Sequence, residues 1–206
     1  MTFKTEQEAF WAGEFGTEYI SRNISAAYLA SNLNFFTKAF HQIGKPHNVI
    51  EFGANVGMNL KAIQMLFPEV SVKGIEINPD AAAQLKENIG SDNVFHGSIY
   101  DFEPKELFEV SLIKGVLIHI KPEMLPRVYE KLYKSSRKYI LIAEYYNPSP
   151  VTVNYRGHAD RLFKRDFAGE MLDTYSDLDL VDYGFAYKRD RAFPQDDITW
   201  FLLRKN

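Results

Sequence analysis

The stretch that most limits the folds open to this chain is Asn48-Val49-Ile50-Glu51-Phe52-Gly53-Ala54-Asn55-Val56-Gly57, with the helical run Met58 to Phe67 behind it. A short apolar run that breaks at glycine and then takes up a helical period reads as a strand, a tight turn and a helix. Gly53 and Gly57 let the backbone turn sharply and leave no Cβ in the way of a ligand. The helix aims its first N–H groups and the positive end of its dipole into the same crevice. Glu51, at the strand end, stands in reach of a cationic ligand group. The unit therefore predicts a nucleotide-type ligand site at the C-terminal edge of a parallel sheet. The plainer alternative is a strand-to-helix turn that holds nothing.

The same rhythm continues. Strands are expected over Val49–Phe52, Val70–Glu76, Asn93–His96, Glu109–Lys114 and Tyr139–Glu144. Helices are expected over Gly57–Phe67, Pro79–Asn88 and Pro122–Ser135, the last two opening on a proline whose missing N–H costs nothing there. Strands alternating with helices imply a parallel sheet wrapped on both faces. After Glu144 the pattern changes to a loop at Asn147–Pro150, a polar basic stretch and a helix near Asp166–Thr174. Two strands, Leu178–Tyr187 and Ile198–Arg204, then end the chain; joined by a loop rather than a helix, they are expected to pair as an antiparallel hairpin. Residues 1–45 read as a helical cap, broken at Gly13–Gly16, with a longer helix over Ala26–Gln42.

At 206 residues with 46% hydrophobic residues, the chain suits one α/β domain with a full core: cap 1–45 and Rossmann-like core 48–206. It has no cysteine, which excludes disulfides and thiolate chemistry, and a net charge of −3 argues against a general nucleic-acid partner. No signal-like start or membrane-length apolar run is present, so a cytoplasmic protein is expected. The histidines lie scattered at 41, 47, 96, 119 and 158, without metal-ligand spacing, and no metal is expected. The oligomeric state is open.

The dinucleotide fingerprint G-x-G-x-x-G fails, because the second and third glycine positions after Gly53 hold Asn55 and Met58. What stands there, Glu51-x-Gly53-x-Asn55-x-Gly57, resembles the acidic-x-G-x-G-x-G loop of class I S-adenosylmethionine (SAM)-dependent methyltransferases, with Asn in the middle glycine slot. Across residues 48–144 the strand ends resemble that family's core in order. The resemblance implies a doubly wound, seven-stranded, mostly parallel sheet whose last strand is antiparallel, as the C-terminal hairpin would provide. It also implies SAM as cofactor and S-adenosylhomocysteine as product. The flanks are similar to a narrower family, the methylases associated with pseudaminic acid biosynthesis. That likeness rests on Phe10–Asn23, Tyr155-Arg156-Gly157-His158, Phe163–Glu170 and Phe193–Phe201. It implies nonulosonic-acid or surface-glycan chemistry through the family name only.

On this reading the cofactor's methionine end lies over Glu51, Gly53, Asn55 and Gly57. Glu76, ending the second strand, accepts the ribose hydroxyls, or else it is merely a charge at a helix start. Ile77 and Asn78 beside it, Gly97, Ser98 and Ile99 after the third strand, and Lys114 and Gly115 ending the fourth complete the cofactor candidates. Trp11, Phe15, Tyr19, Arg22 and Asn23 form either a ligand lid, with Tyr19 and Arg22 near the cofactor's carboxylate, or a structural layer.

Methyl transfer asks mainly for alignment. His119, at the tip of the fourth strand, is the catalytic candidate, as a base or as a group that bonds carbonyls and shapes the pocket. Tyr145 and Tyr146 either line the acceptor site or cover a strand end. The basic stretch with Tyr155, Arg156, His158 and Arg165 either binds an anionic small-molecule acceptor or is a solvated surface run. Two functions are carried forward: a methyltransferase acting on a small polar metabolite, and a SAM-binding regulator or scaffold without transfer activity.

Overall fold

The structure, a computed structural model, describes residues 2–155 and 158–206, with no side-chain account of residues 155 and 158–161. Nine strands and seven α-helices follow in the order α1 (Glu6–Ala12), α2 (Glu14–Tyr19), α3 (Ala26–Ala39), β1 (Asn48–Phe52), α4 (Met58–Leu66), β2 (Ser71–Glu76), α5 (Pro79–Ile89), β3 (Val94–His96), β4 (Phe108–Lys114), α6 (Leu125–Ser135), β5 (Ser136–Glu144), β6 (Val151–Tyr155), β7 (His158–Lys164), α7 (Phe167–Thr174), β8 (Leu178–Ala186) and β9 (Ile198–Lys205) among the described residues. Seven strands form one sheet in the order β3-β2-β1-β4-β5-β9-β8. The first five are mutually parallel, and β9 runs antiparallel to both β5 and β8, as the C-terminal hairpin predicts. Strand order reverses between β1 and β4, the switch point at which open sheets of this kind leave a crevice for ligands.

Alternation along the central strands assigns the two sheet faces. Val49, Val72, Val110, Leu112 and Leu141 pack under α3, α4 and α5 against Phe36, Phe40, Leu60, Ile63 and Leu85. Ile50, Phe52, Ile113, Ile140 and Ile142 pack under α6 and α7 against Val128, Leu132, Phe167 and Met171. A strand covered on both faces has no polar side, and all seven residues of β4 are buried.

Helix starts follow their caps. Ser25 Oγ accepts Tyr28 N–H at 3.0 Å, Asn78 Oδ1 accepts Asp80 and Ala81 N–H at 3.0 Å each ahead of Pro79, and Asp166 Oδ1 accepts Gly169 N–H at 2.8 Å.

Three expectations are corrected. The break expected across Gly13–Gly16 falls at Gly13 alone; Gly16 lies inside α2, where a Cβ would stand 1.8 Å from the Trp11 carbonyl oxygen. Residues Pro122–Met124 form a 3₁₀ turn ahead of α6 rather than its first turn. The stretch expected as loop and basic run contains a separate two-stranded hairpin, β6–β7. Val151-Thr152-Val153-Asn154-Tyr155 does alternate as a strand would, whereas His158, Ala159, Asp160 and Arg161 at the start of β7 hide the alternation there.

Candidate functional site

The cavity opens at the C-terminal edge of the parallel strands, with a volume of about 180 Å³. Its floor is the β1–α4 loop. Gly53 and Ala54 N–H both donate to Ile75 O at 2.9 Å, pinning the loop to β2. Asn55 sits at φ 49° and Gly57 at φ 82°. Asparagine is one of the few side-chain-bearing residues that adopts this left-handed region readily, which explains its place in a glycine slot. Its Oδ1 accepts Val56 N–H at 2.7 Å. Gly57 has a second reason to lack a side chain, since a Cβ there would stand 2.5 Å from Leu85 Cδ1.

Glu76 joins two loops. Its Oε2 accepts Asn55 N–H and its Oε1 accepts Asn78 N–H, both at 2.7 Å, and the residue is buried on the cavity wall. Burial raises its carboxyl above the usual range, while the N–H groups of Asn78, Asn55 and Ile77 oppose that rise. The remaining lone pairs of this carboxylate suit hydroxyl donors from a ligand.

Glu51 is placed otherwise than expected. It is fully buried and does not line the cavity. Strand alternation turns it under α4, where Asn59 Nδ2 donates to its Oε1 at 2.6 Å; its Oε2 has no hydrogen-bond partner. Burial pushes the Glu51 carboxyl up to about 8, against the lowering effects of Asn59 and Lys114. The wall position falls to Asn59 instead. Its Oδ1 is buried without a hydrogen-bond partner beside the glycine loop.

Helices α1 and α2 form the roof, with Glu8, Trp11, Gly16 and Tyr19 on the wall. Asn78, the cap of α5, also holds this roof. Its Nδ2 lies 3.1 Å from Trp11 O, 3.3 Å from Gly13 O and 3.2 Å from Thr17 Oγ1. Thr17 Oγ1 donates to Asp80 Oδ2 at 2.7 Å, and Ser98 Oγ donates to Glu8 Oε1. Ser98 thus anchors the roof from outside the wall. Gly57, Gly97 and Ser98 are absent from the lining, whereas Ile77, Asn78, Ile99, Lys114 and Gly115 belong to it. Arg22 lies over the Tyr19 ring at 5.4 Å and does not line the cavity. The Lys114 ammonium stands 5.5 Å from the centroids of Tyr28 and Phe35, and 3.5 Å from the Tyr28 hydroxyl.

The far wall carries His119, buried, with its ring 4.6 Å from that of Trp11. It ends the 3₁₀ turn Leu117–His119, which Glu144 fixes from the end of β5. Glu144 Oε1 accepts Val116 and Leu117 N–H at 2.9 Å each, and Oε2 accepts Ile118 N–H at 3.5 Å. Burial raises Glu144 to about 7 even against these three donors. Tyr145 lines the cavity, but Tyr146 does not: it stands 5.6 Å from Phe201, beside a separate shallow depression. Arg165 is in that depression too, and its Nε donates to Glu170 Oε1 at 2.6 Å. The proposed acceptor set therefore loses Tyr146 and Arg165. Arg156 lies outside the described residues, as do the side chains of Tyr155 and His158.

Sequence reasoning missed Asn59, Glu144, Asp196 and Ile198. The last two line the cavity because β9 runs antiparallel to β5, which brings the start of β9 to the end of β5. That placement was available from the hairpin topology. Among the described residues no group of three or more His, Cys, Asp or Glu could hold a metal ion, and no helix is long and apolar enough to cross a membrane.

No protein-family model and no curated protein matches the chain. Solved structures match its fold. The 1,6-didemethyltoxoflavin-N1-methyltransferase of Burkholderia thailandensis, crystallised with 1,6-didemethyltoxoflavin and S-adenosylhomocysteine, aligns over 100% of this chain and 92% of its own at TM-score 0.74 and 17% identity. Magnesium protoporphyrin IX methyltransferase from Synechocystis PCC 6803, with S-adenosylhomocysteine bound, aligns over 99% and 100% at TM-score 0.72 and 11% identity. A plantazolicin methyltransferase in complex with S-adenosylhomocysteine aligns over 97% and 94% at TM-score 0.64 and 16% identity. The chain has the Rossmann-like fold of SAM-dependent methyltransferases.

Proposed function

We propose that this protein transfers the methyl group of SAM to a small-molecule acceptor and releases S-adenosylhomocysteine. The observation that carries the reading is one cavity joining the glycine loop, Asn59 and Glu76 to a separate wall of Trp11, His119 and Tyr145, at the switch point of the sheet. Bound SAM supplies a methyl group on a sulfonium, already a good leaving group. The residues fit it. Glu76 offers acceptor lone pairs to ribose hydroxyls. The unpartnered Asn59 Oδ1 suits an ammonium, and the start of α4, which no side chain caps, suits a carboxylate.

On the other wall the chain has to orient an acceptor and exclude water, and alignment of this kind is worth ~7–11 kcal/mol of a barrier. Trp11 and the roof cover the cavity, and Glu144 holds the turn that carries His119. His119 is placed to orient the acceptor or to take its proton as the methyl bond forms.

The fold neighbours act on acceptors of unlike chemistry, so the acceptor class rests on this chain's own wall. Lys114 and His119 are lining residues able to carry positive charge, opposite Glu8, Glu76 and Asp196. Support for an anionic acceptor therefore comes from the sequence of the basic stretch, since Arg165 faces Glu170. The narrower reading, a cytoplasmic methylase of nonulosonic-acid or surface-glycan biosynthesis, is supported by the quoted motifs alone.

Calorimetry with SAM and with 5′-methylthioadenosine, which lacks the amino-acid end, tests the site. Both are expected to bind. Asn59→Leu should weaken SAM roughly tenfold or more, the worth of one hydrogen bond to a charged group, and leave methylthioadenosine unchanged. Asn59→Leu also removes the Asn59 donor from the buried Glu51, and unchanged methylthioadenosine binding is the control for that; Glu76→Ala is less clean still, because it also releases two loops. Binding of neither ligand to the wild-type protein overturns the proposal. A panel of acceptors that includes nonulosonic acids, read by mass spectrometry for S-adenosylhomocysteine, tests transfer. SAM binding without product release would favour the regulator or scaffold.

A further inference from the structure

Lys114 ends β4 on the cavity wall, and the residue is only 9% exposed. An ammonium taken out of water is costly unless an anion or several hydrogen bonds meet it. Neither does here. Among the described residues Lys114 makes no ion pair, and its one hydrogen bond, to the Tyr28 hydroxyl, is long at 3.5 Å. The Tyr28 and Phe35 rings, each centred 5.5 Å away, give the cation a π-face seat. That seat leaves N–H donors without acceptors. Glu51 and Glu144 are in range of the charge but do not cancel it. Glu51, pushed up to about 8 by burial, is protonated at neutral pH, and Glu144 turns its oxygens to the N–H groups of Val116, Leu117 and Ile118.

A group of the opposite need stands on the same side of the sheet. Lys114 follows Leu112 by two residues and so shares its face, the one on which Glu51 lies as the β1 partner of Leu112. Asn59 donates to Glu51 through Nδ2 at 2.6 Å, while its Oδ1 is buried without a donor. Both Lys114 and Asn59 line the cavity. One side of the cavity thus holds a cation short of an acceptor and an acceptor short of a donor. An α-amino acid carries both missing partners on one carbon, a carboxylate and an ammonium. Arg22, the cation expected from the sequence to meet this carboxylate, lies over the Tyr19 ring and does not line the cavity.

We propose that Lys114, with the Tyr28 hydroxyl, is the carboxylate subsite of the cavity and makes the protein selective for a cofactor that keeps its amino-acid carboxylate. Given SAM as the ligand, on which this assignment rests, Lys114 supplies the positive charge and the uncapped start of α4 adds to it. Decarboxylated SAM keeps the ammonium and the sulfonium and lacks only the carboxylate. It would bring a second uncompensated cation to a wall that already holds one, and the site rejects it.

Calorimetry with SAM, decarboxylated SAM and 5′-methylthioadenosine tests the assignment. SAM is expected to bind the wild-type protein at least ~10-fold more tightly than decarboxylated SAM, as loss of a hydrogen bond between charged groups requires. Lys114→Met keeps most of the side-chain volume without the charge, a replacement that buried ions commonly tolerate. It should weaken SAM roughly tenfold, erase most of the preference over decarboxylated SAM and leave methylthioadenosine binding as before. If that variant folds poorly, Tyr28→Phe removes only the hydroxyl and should weaken SAM ~3-fold while sparing decarboxylated SAM. Equal wild-type affinity for SAM and decarboxylated SAM overturns the assignment. A preference that survives Lys114→Met, or SAM affinity indifferent to Tyr28→Phe, overturns it too and leaves the ammonium to an acidic acceptor. In each of these cases methylthioadenosine still binds, whereas binding of none of the three ligands would overturn the SAM site itself.

Discussion

Asn55 permits a sharp test of the glycine loop, because two substitutions there separate backbone strain from hydrogen bonding. The residue has φ 49°, and its Oδ1 accepts the N–H of Val56, a residue only 1% exposed. Asn55→Ala and Asn55→Gly both remove that acceptor, and stranding a buried N–H costs ~1–3 kcal/mol. Alanine adds the left-handed penalty of ~1–2 kcal/mol. Glycine avoids that penalty but enlarges the unfolded ensemble, at ~0.4–1 kcal/mol. Both variants keep the bond from residue 55 N–H to Glu76. The alanine variant should therefore be the less stable of the two by roughly 1 kcal/mol, and less stable than wild type by ~2–5 kcal/mol. For a chain of this size that is a melting-temperature loss of roughly 4–20 °C. Urea denaturation with linear extrapolation measures all three proteins. An alanine variant as stable as the glycine variant would refute the strain argument and leave Asn55 as an ordinary loop residue.

Two further outcomes follow from buried groups. Burial raises Glu51 in the folded state to about 8 from 4.5, so the native protein holds a proton that the unfolded chain has released. Stability therefore falls as pH rises between those values. Glu51→Gln should gain on wild type between about pH 5 and about pH 9 in urea melts, by at most roughly 5 kcal/mol; parallel pH curves would show that Glu51 ionises in the fold without cost. His119→Ala should lower kcat and leave SAM affinity near its wild-type value, with a loss that shrinks as pH rises if the imidazole takes the acceptor's proton. A pH-independent loss would show that it positions groups, and full activity would remove it from the site.

The sequence by itself determined the core from Asn48 to Glu144 and the closing hairpin, because the signals there are local. Glycine breaks, Pro at the first helical turn, and caps such as Asn78 act within a few residues, and short apolar runs between such breaks mark strands without knowledge of their partners. It also placed the glycine loop, Glu76 and His119 at one sheet edge, since in a parallel sheet all strand ends of one sense gather there. The β6–β7 hairpin was legible only in its first strand, where Val151-Thr152-Val153-Asn154-Tyr155 alternates with period two; His158-Ala159-Asp160-Arg161 at the start of β7 has no such period.

Tertiary structure decided which side chains meet. Tyr145 and Tyr146 are consecutive, so a strand's alternation sends them to opposite sides, and only the sheet's neighbours determine which one faces the cavity. The same alternation takes Glu51 under α4 and leaves its place on the wall to Asn59. Arg165 turned to Glu170 because an ion pair five residues along is nearer than the crevice. The cavity's roof, with Trp11 on His119 and Glu8 on Ser98, joins residues that are far apart in the chain. Contacts of that range carry no local signal, and they exist only once α1 and α2 have packed across the sheet edge.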